Sequence, residues 1–195
     1  MRKLTYYIAC SVDGFIGDVT GDATAMLAYV DEEFLDFLKS EYPETVPTRG
    51  RRALGFDDLE NKRFDTIIQG RASYDLALKE GDVSPYAHLR QYVASRTLAA
   101  SPSPEVEIVG EGLLDTVREL KAQDGGLDIY LCGGSRLAGE LFDEIDQLVI
   151  KTYPMVYGSG MPMFGAADCD VAGFALVAVR SFGNGAVVRT YDRAR

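Results

Sequence analysis

The chain has 195 residues, of which 47% are apolar and 26% charged, a composition typical of a globular protein. Its formal net charge of −10 argues against nucleic-acid binding, which needs positive charge facing the phosphates. No stretch approaches the roughly 18 apolar residues of a membrane span, and the first residues lack a signal-peptide core, so a cytoplasmic location without a membrane partner is expected.

Strands are predicted where apolar residues alternate, and helices where they recur three or four residues apart. Asp31 has the position of a helix N-cap, and Pro43 would end that helix. In chain order the predicted elements are strands at 4–12 and 15–17, a helix at 32–42, a loop at 44–64, a strand at 65–69, a short helix after Gly70, strands at 92–94 and 106–109, a helix at 113–123, a strand at 127–132, a helix at 135–144, a strand at 147–153, and a hairpin of strands at 174–182 and 186–191.

Strands that alternate with helices predict an α/β protein with a mainly parallel sheet covered on both faces. The terminal hairpin would add an antiparallel edge to this sheet. No repeat, linker or low-complexity segment interrupts the pattern, so residues 1–195 are expected to form a single domain.

Two junctions share one form, in which an apolar strand meets glycine and then a helix. The first contains Gly70-Arg71-Ala72-Ser73, and the second contains Gly133-Gly134-Ser135-Arg136. Glycine lets the backbone approach a ligand closely, and free N–H groups at the start of a helix favour anions. The pair therefore predicts a pyrophosphate site, since ligands of open α/β sheets collect at the carboxyl ends of strands.

A third strand end, at Ser95-Arg96, carries polar and cationic groups. Arg71 and Arg96 are candidates to grip one phosphate through bidentate guanidinium contacts. No GxGxxG sequence follows a strand, which leaves a standard Rossmann dinucleotide fold without support.

The sequence offers few residues for metal binding or nucleophilic catalysis. His88 is the only histidine, and the spacing of Cys10, Cys132 and Cys169 suits no metal site, so no metal is expected. The cysteines are interpreted as reduced, structural thiols.

Four segments, in this order, resemble the dihydrofolate reductase superfamily, and most closely its branch with the reductase domain of bifunctional riboflavin-biosynthesis proteins. The resemblance covers nearly the whole chain. The segments are Ala9 to Gly17 with an S-x-D-G-x-I turn, Gly70-Arg71-Ala72-Ser73-Tyr74-Asp75, Gly133-Gly134-Ser135, and Pro154 to Phe164 with the pattern P-x-x-x-G-x-G-x-P-x-F.

The resemblance implies a three-layer fold with a mixed, mainly parallel sheet of about eight strands and NADPH lying across the strand ends. It also implies a cis peptide between the paired glycines. Carried over position by position, it would place Ala9 and Ile16 against the nicotinamide, Gly70, Arg71 and Ser73 by the pyrophosphate and 2′-phosphate, Ser95 and Arg96 by the adenosine ribose and its 2′-phosphate, and Gly133, Gly134, Ser135 and Leu137 at the pyrophosphate.

Departures from the family pattern bear on the substrate. The chain contains no tryptophan, whereas true dihydrofolate reductases carry a Pro-Trp pair, and it lacks the zinc deaminase signature of the bifunctional riboflavin proteins. The proton donor is open: Asp31, at the helix start, and Glu33, by its spacing to Phe37, are candidates, against the alternative that both only cap and solvate the helix.

The leading hypothesis is an NADPH-dependent reductase of a small heterocyclic or sugar-nucleotide substrate, with 5-amino-6-(5-phosphoribosylamino)uracil as one candidate. Lys151 and the arginines of 49–52 are candidates for binding its phosphate. The alternatives are a non-catalytic NADPH-binding sensor or assembly protein and a reductase of xenobiotics or pterins. A homodimer is expected by analogy, through the terminal hairpin or through an apolar patch of Met155, Met161, Met163 and Phe164.

Overall fold

The computed structural model of the chain describes residues 1–165 and 171–194, and its centre is an eight-stranded sheet. The strands of that sheet are β1 (Leu4–Ser11), β3 (Phe64–Gly70), β4 (Arg90–Ala94), β5 (Val106–Val109), β6 (Asp128–Gly133), β7 (Gln147–Tyr153), β9 (Phe174–Ser181) and β10 (Val187–Arg193). Two further short strands, β2 (Phe15–Gly17) and β8 (Met161–Pro162), pair with each other outside it.

The strand order is β5-β4-β3-β6-β1-β7-β10-β9. The first six of these strands are parallel to their neighbours, whereas β10 is antiparallel to both β7 and β9. The predicted mixed sheet with a terminal antiparallel hairpin is therefore confirmed. Because β3, β6 and β1 are neighbours in the sheet and parallel, their carboxyl ends lie side by side.

In the described part of the chain, five α-helices accompany the sheet. Asp31 accepts a hydrogen bond from the Phe34 amide at 2.9 Å, which confirms its predicted N-cap role. The helices are α1 (Glu32–Glu41), α2 (Thr48–Leu54), α3 (Arg71–Lys79), α4 (Leu113–Ala122) and α5 (Ser135–Glu140), with 3-10 turns at Thr24–Tyr29, Pro43–Thr45 and Phe142–Glu144.

Both faces of β1 are buried, as the alternation of strands with helices along the chain predicts for the centre of the sheet. Leu4, Tyr6 and Cys10 join the cluster under α4 and α5, while Tyr7 joins an aromatic cluster under α1. The rings of Tyr7, Phe64 and Tyr130 lie within 5.4–6.4 Å of one another in this second cluster. Helices on both faces complete the three-layer architecture that the resemblance implies.

Two sequence predictions about helices are wrong. Residues 44–64 are not only a loop, because α2 forms there between Pro47 and Gly55, and Gly55 adopts the left-handed φ of 68° that ends a helix. The predicted helix at 135–144 ends at Glu140 and gives way to a 3-10 turn, because Phe142 turns back to pack on Phe164 at 5.4 Å.

Candidate active site

The two glycine breaks are neighbours at the carboxyl edge of the sheet. β3 and β6 are adjacent and parallel, and Gln69 lies opposite Gly133. A Cβ added to Gly70 would lie 3.6 Å from the Gly133 carbonyl oxygen and 3.8 Å from Leu137 Cβ. The two junctions that the sequence singles out therefore form one surface.

Among the described residues, this surface is open next to Gly134, although the Gly134 and Ser135 carbonyls accept hydrogen bonds from the Ala138 and Gly165 amides. The Gly133–Gly134 peptide is cis, as the resemblance implies, and in the described part of the chain nothing lies within 4 Å of a Cβ placed on Gly134. No side chain of residues 1–165 or 171–194 caps the start of α3 or α5. Within the described residues, the buried atoms Gln69 Nε2 and Ser135 Oγ also lack hydrogen-bond partners. This donor-rich surface is compatible with a diphosphate.

Two arginines flank these breaks. Arg71, at the start of α3, pairs with Asp75 at 2.5 Å, and Arg96, after β4, pairs with Glu140 at 2.9 Å. The second pair joins the end of β4 to the end of α5 across the carboxyl edge. Both guanidinium groups are accessible to solvent, with side chains 36% and 75% exposed. Arg71 directly follows Gly70, whereas Arg96 contacts the last residue of α5.

The serines of the predicted cofactor site differ in their surroundings. Ser95 is buried, and its Oγ accepts hydrogen bonds from the Thr97 and Leu98 amides, so it holds the turn after β4. Ser73 is half-buried in the first turn of α3. The role of both at a cofactor stays a prediction.

The opening turn is tied to the distant loop at 154–165. The Asp13 carboxylate accepts hydrogen bonds from the Tyr157 and Gly158 amides at 3.3 and 2.7 Å, and from Ser11 Oγ at 2.5 Å. These bonds, led by the one from Ser11, lower the pKa of Asp13. A Cβ on Gly160 would lie 2.2 Å from the Gly17 carbonyl oxygen, so only glycine permits this approach.

The tether gives the S-x-D-G motif a structural role that sequence reasoning missed. β2, which contains Ile16, pairs with β8 in the same loop. Ile16 thereby lies over the cluster under α5, while Ala9 is half-buried at the end of β1 on the opposite face of the sheet. The two predicted nicotinamide contacts thus flank the end of β1.

The predicted apolar patch on this loop is wrong, because all four of its residues are partly buried. Met155 packs against the aromatic cluster under α1, and Met161 is half-buried. Met163 and Phe164 pack against the cluster under α4 and α5, and the Met163 carbonyl accepts a hydrogen bond from Tyr6. Val156 is the exposed apolar residue of this loop, and the edge strand β9 carries three more, Leu176, Val177 and Val179, each more than half exposed. The edge position of the hairpin is confirmed.

Lys151 lies on the α1 face beside the end of β1. It stands opposite Ala9 in the β1–β7 register, and its Nζ lies 4.0 Å from the centroid of the Tyr7 ring. None of the ion pairs between described residues includes it. Burial lowers the pKa of Lys151 from 10.5 to about 8.

The two carboxylates named as proton donors contact backbone at the surface. Asp31 caps α1, and Glu33 accepts a hydrogen bond at 2.9 Å from the Gly183 amide in the terminal hairpin turn. Both side chains belong to exposed residues. Their catalytic role stays a prediction, and these contacts favour a structural one.

The other candidate groups also have structural contacts. Arg51 is 3% exposed and donates to the Leu59 carbonyl, so it is wrong as a phosphate ligand, whereas Arg49 and Arg52 are exposed on α2. His88 lies 2.8 Å from the Glu44 carbonyl. Cys10 and Cys132 are free thiols, and Cys169 lies outside the described residues.

The described ranges contain neither a cluster of metal-ligating side chains nor a helix that could span a membrane. No group of three or more His, Cys, Asp or Glu side chains there is arranged to hold a metal ion. No helix in 1–165 or 171–194 has the length and apolar content to cross a bilayer.

A cavity of about 450 Å³ lies at the amino ends of β1, β6 and β7, remote from the glycine breaks.

Comparisons with known proteins agree with this architecture. YwjB of Bacillus subtilis (strain 168), an uncharacterized protein, is 29% identical over 165 residues, covering 84% of this chain and 83% of YwjB. A solved structure from Shewanella sp. PV-4, provisionally named a riboflavin biosynthesis protein, is 25% identical with a TM-score of 0.71, and each chain is covered in full.

Two enzymes share the fold at lower identity. The deaminase/5-amino-6-(5-phosphoribosylamino)uracil reductase of Thermotoga maritima is 16% identical with a TM-score of 0.67, covering 99% of this chain and 57% of the enzyme. Dihydrofolate reductase of Enterococcus faecalis, solved with NADP(H), is 16% identical with a TM-score of 0.60, covering 99% and 97%. The fold is therefore dihydrofolate reductase-like.

The model of the RibD C-terminal domain family matches residues 2–188. This match spans the glycine breaks, the arginines beside them, the opening turn and the loop tethered to it. The chain belongs to the RibD C-terminal domain family.

Proposed function

We propose that the chain is an NADPH-dependent reductase that holds its cofactor across the carboxyl ends of β4, β3, β6 and β1. The observation that carries this proposal is the adjacency of the two glycine breaks. Gly70 and Gly134 present uncapped backbone at one surface, and the donors around them have no partners within the described residues.

The chain's own residues would bind and orient the cofactor. Gly70, Gly133, Gly134, Ser135 and Leu137 would hold the pyrophosphate, because their backbone can approach it without a side chain intervening. Arg71, Ser73, Ser95 and Arg96 would lie along the adenosine ribose and its 2′-phosphate. NADPH, when bound, supplies a hydride to the substrate.

The phosphorylated ribose gives the two arginines a specific task. Arg71 and Arg96 each face one carboxylate, Asp75 and Glu140, and a 2′-phosphate would attract both guanidinium groups away from these partners. NADH lacks that phosphate, so it could not draw the two arginines away from Asp75 and Glu140. The arrangement therefore favours NADPH over NADH.

The substrate we propose is 5-amino-6-(5-phosphoribosylamino)uracil, the compound named for the reductase of Thermotoga maritima. It would lie on the α1 face of the sheet, where Ala9, Cys132 and Lys151 are half-buried at the ends of three neighbouring strands. A pterin or xenobiotic reductase is the second candidate, since aromatic side chains such as Tyr7 and Tyr86 line this face.

A cofactor titration tests the proposal. NADPH and NADH are added separately to the purified chain, and binding is followed by cofactor fluorescence. We expect saturable NADPH binding that is at least about tenfold tighter than NADH binding, because a charge-assisted contact contributes about 1.5–3 kcal/mol. Equal or absent binding of the two would refute the cofactor assignment.

Matched variants locate the site. Arg96→Gln should lose most of the preference for NADPH, whereas Arg118→Gln, which removes an exposed, ion-paired arginine on α4, should not. Gly134→Val should abolish binding without unfolding the chain, because the space beside Gly134 is empty and its φ is −46°. NADPH binding without oxidation in the presence of pyrimidines, pterins and flavins would favour a non-catalytic sensor.

A further inference from the structure

Lys151 is the one cation that the β1–β7 register places beside the end of β1 on the α1 face. Parallel neighbours lie about 4.8 Å apart, and Lys151 stands directly opposite Ala9, so the two side chains point to the same face. Ala9 is one of the two residues, with Ile16, expected to meet the nicotinamide, and it is the one on the α1 face. A substrate stacked on that ring from the α1 side would come within reach of Nζ.

The surroundings of Nζ are aromatic and uncharged. The ring of Tyr7, itself 1% exposed, lies below it at 4.0 Å, and Tyr130 packs on Tyr7 at 5.8 Å. Burial raises the pKa of Tyr7, Tyr130 and Cys132, so these groups stay neutral. The ammonium therefore depends on the ring face and on residual solvent for its stabilisation.

The ionisable groups around Lys151 come from all of the elements packed against it. Glu44 lies beyond Tyr7, and Arg189 of β10 bonds Thr152 on the opposite face of the sheet. The ionisable groups nearest to Lys151 are phenols and thiols: Tyr7 and Cys10 on β1, Tyr130 and Cys132 on β6, Tyr86 before β4, and Tyr153 on β7. None of these is an anion at neutral pH when its pKa is raised by burial.

We propose that the ammonium group of Lys151 donates the proton that accompanies hydride transfer, an inference that rests on the proposed reductase function. As a hydride reaches the carbon of a C=N or C=O group, the π electron pair moves to the heteroatom, which takes a proton from Nζ. The substrate gains two electrons and NADPH loses them. Water then returns a proton to the neutral amine, which the half-buried position of Lys151 allows.

Lys151 is better placed to donate a proton than Asp31 or Glu33, which contact backbone at the surface. A proton donor works best when its pKa lies near the operating pH, and burial brings Lys151 to about 8. An ordinary exposed lysine, with a pKa of about 10.4, would release its proton less readily. Lys151 therefore combines a location beside the expected ring with a proton that can leave.

The test uses NADPH and 5-amino-6-(5-phosphoribosylamino)uracil, with single-turnover hydride transfer followed by loss of NADPH absorbance. We expect the wild-type rate to fall above about pH 8, as Lys151 loses its proton. Lys151→Gln should lower the rate about 10²-fold or more and remove this pH dependence. NADPH affinity should stay within about twofold, since Lys151 touches the substrate side, and Lys39→Gln on α1 should match the wild type.

Lys151→Arg separates proton donation from phosphate binding. Arginine keeps the positive charge but holds its proton too tightly to give it up, so the rate should remain low. Two results would overturn the proposal in favour of a phosphate ligand. One is a Lys151→Arg variant with the wild-type rate, and the other is a Lys151→Gln variant that differs from the wild type only in a raised KM for the substrate. Unchanged rates in Lys151→Gln would overturn it while leaving the reductase intact.

Competitive acetylation with acetic anhydride, read by mass spectrometry, adds a measurement that does not need turnover. Lys151 should react with a midpoint near pH 8, at least one pH unit below the ordinary lysine value of about 10.4. A midpoint as high as that ordinary value would overturn the proposal. If the wild-type chain binds NADPH but never oxidises it with this substrate, the reductase function fails, and the role of Lys151 fails with it.

Discussion

Replacing Lys151 with methionine should stabilise the chain at neutral pH. The pKa of Lys151 falls from 10.5 in the unfolded chain to about 8 in the folded one, because burial penalises the ammonium. That difference corresponds to about 3 kcal/mol of unfavourable free energy at pH 7. Methionine has a similar unbranched stem and carries no charge, so its variant should escape most of this cost.

The gap between variant and wild type should depend on pH in a defined direction. Between pH 8 and 10.5 the unfolded chain binds more protons at Lys151 than the folded chain does, so the wild type gains stability as the pH rises. The advantage of Lys151→Met should therefore shrink from about 3 kcal/mol at pH 7 to about 2 kcal/mol at pH 9.

Urea denaturation at pH 7, 8 and 9, followed by circular dichroism, measures this gap. Lys39→Met serves as the control, because Lys39 is exposed on α1 and its replacement should have the same small effect at each pH. A variant that is less stable than the wild type at pH 7, or whose advantage is constant across the series, would refute the argument from desolvation.

Three further substitutions test structural contacts. Glu44→Gln should destabilise the chain by about 2 kcal/mol or more in urea, since the buried Glu44 carboxylate accepts hydrogen bonds from three backbone amides before and within β3; full stability in the variant would contradict this. Asp31→Ala should cost about 1 kcal/mol through loss of the N-cap and leave NADPH affinity unchanged in titrations. His88→Gln should weaken the loss of stability on acidification, because burial lowers the pKa of His88, so the unfolded chain takes up the proton first as the pH falls below about 6.5; identical slopes from pH 7.5 to 5.5 would argue against it.

The elements with strong local signals were predictable. β1 was predictable because successive side chains of a strand point to opposite faces, and its residues do divide between the two clusters on either side of the sheet. Asp31 marks the start of α1 because its carboxylate can reach the Phe34 amide. The glycine breaks were found because a strand, a glycine and a helix leave a local trace. Their adjacency was only an expectation, since strand order depends on contacts between distant segments.

Features held by distant residues were not predictable. α2 was missed because Arg51 is its buried residue, so the helix has no apolar stripe. The bond from Gly158 to Asp13 joins residues far apart in sequence, and no spacing rule connects them. Lys151 was named only as a phosphate ligand, because its place over the Tyr7 ring depends on the pairing of β7 with β1.

The hydrogen bonds that Asp13 accepts from the Tyr157 and Gly158 amides have a consequence for access to the candidate active site. Together with the β2–β8 pairing, they join the segments around residues 11–17 and 157–163 into a single unit at the end of β1. Neither segment can lift alone without breaking a charge-assisted hydrogen bond. Entry and release of a ligand on this side would therefore require both segments to swing together, with bending confined to their outer ends.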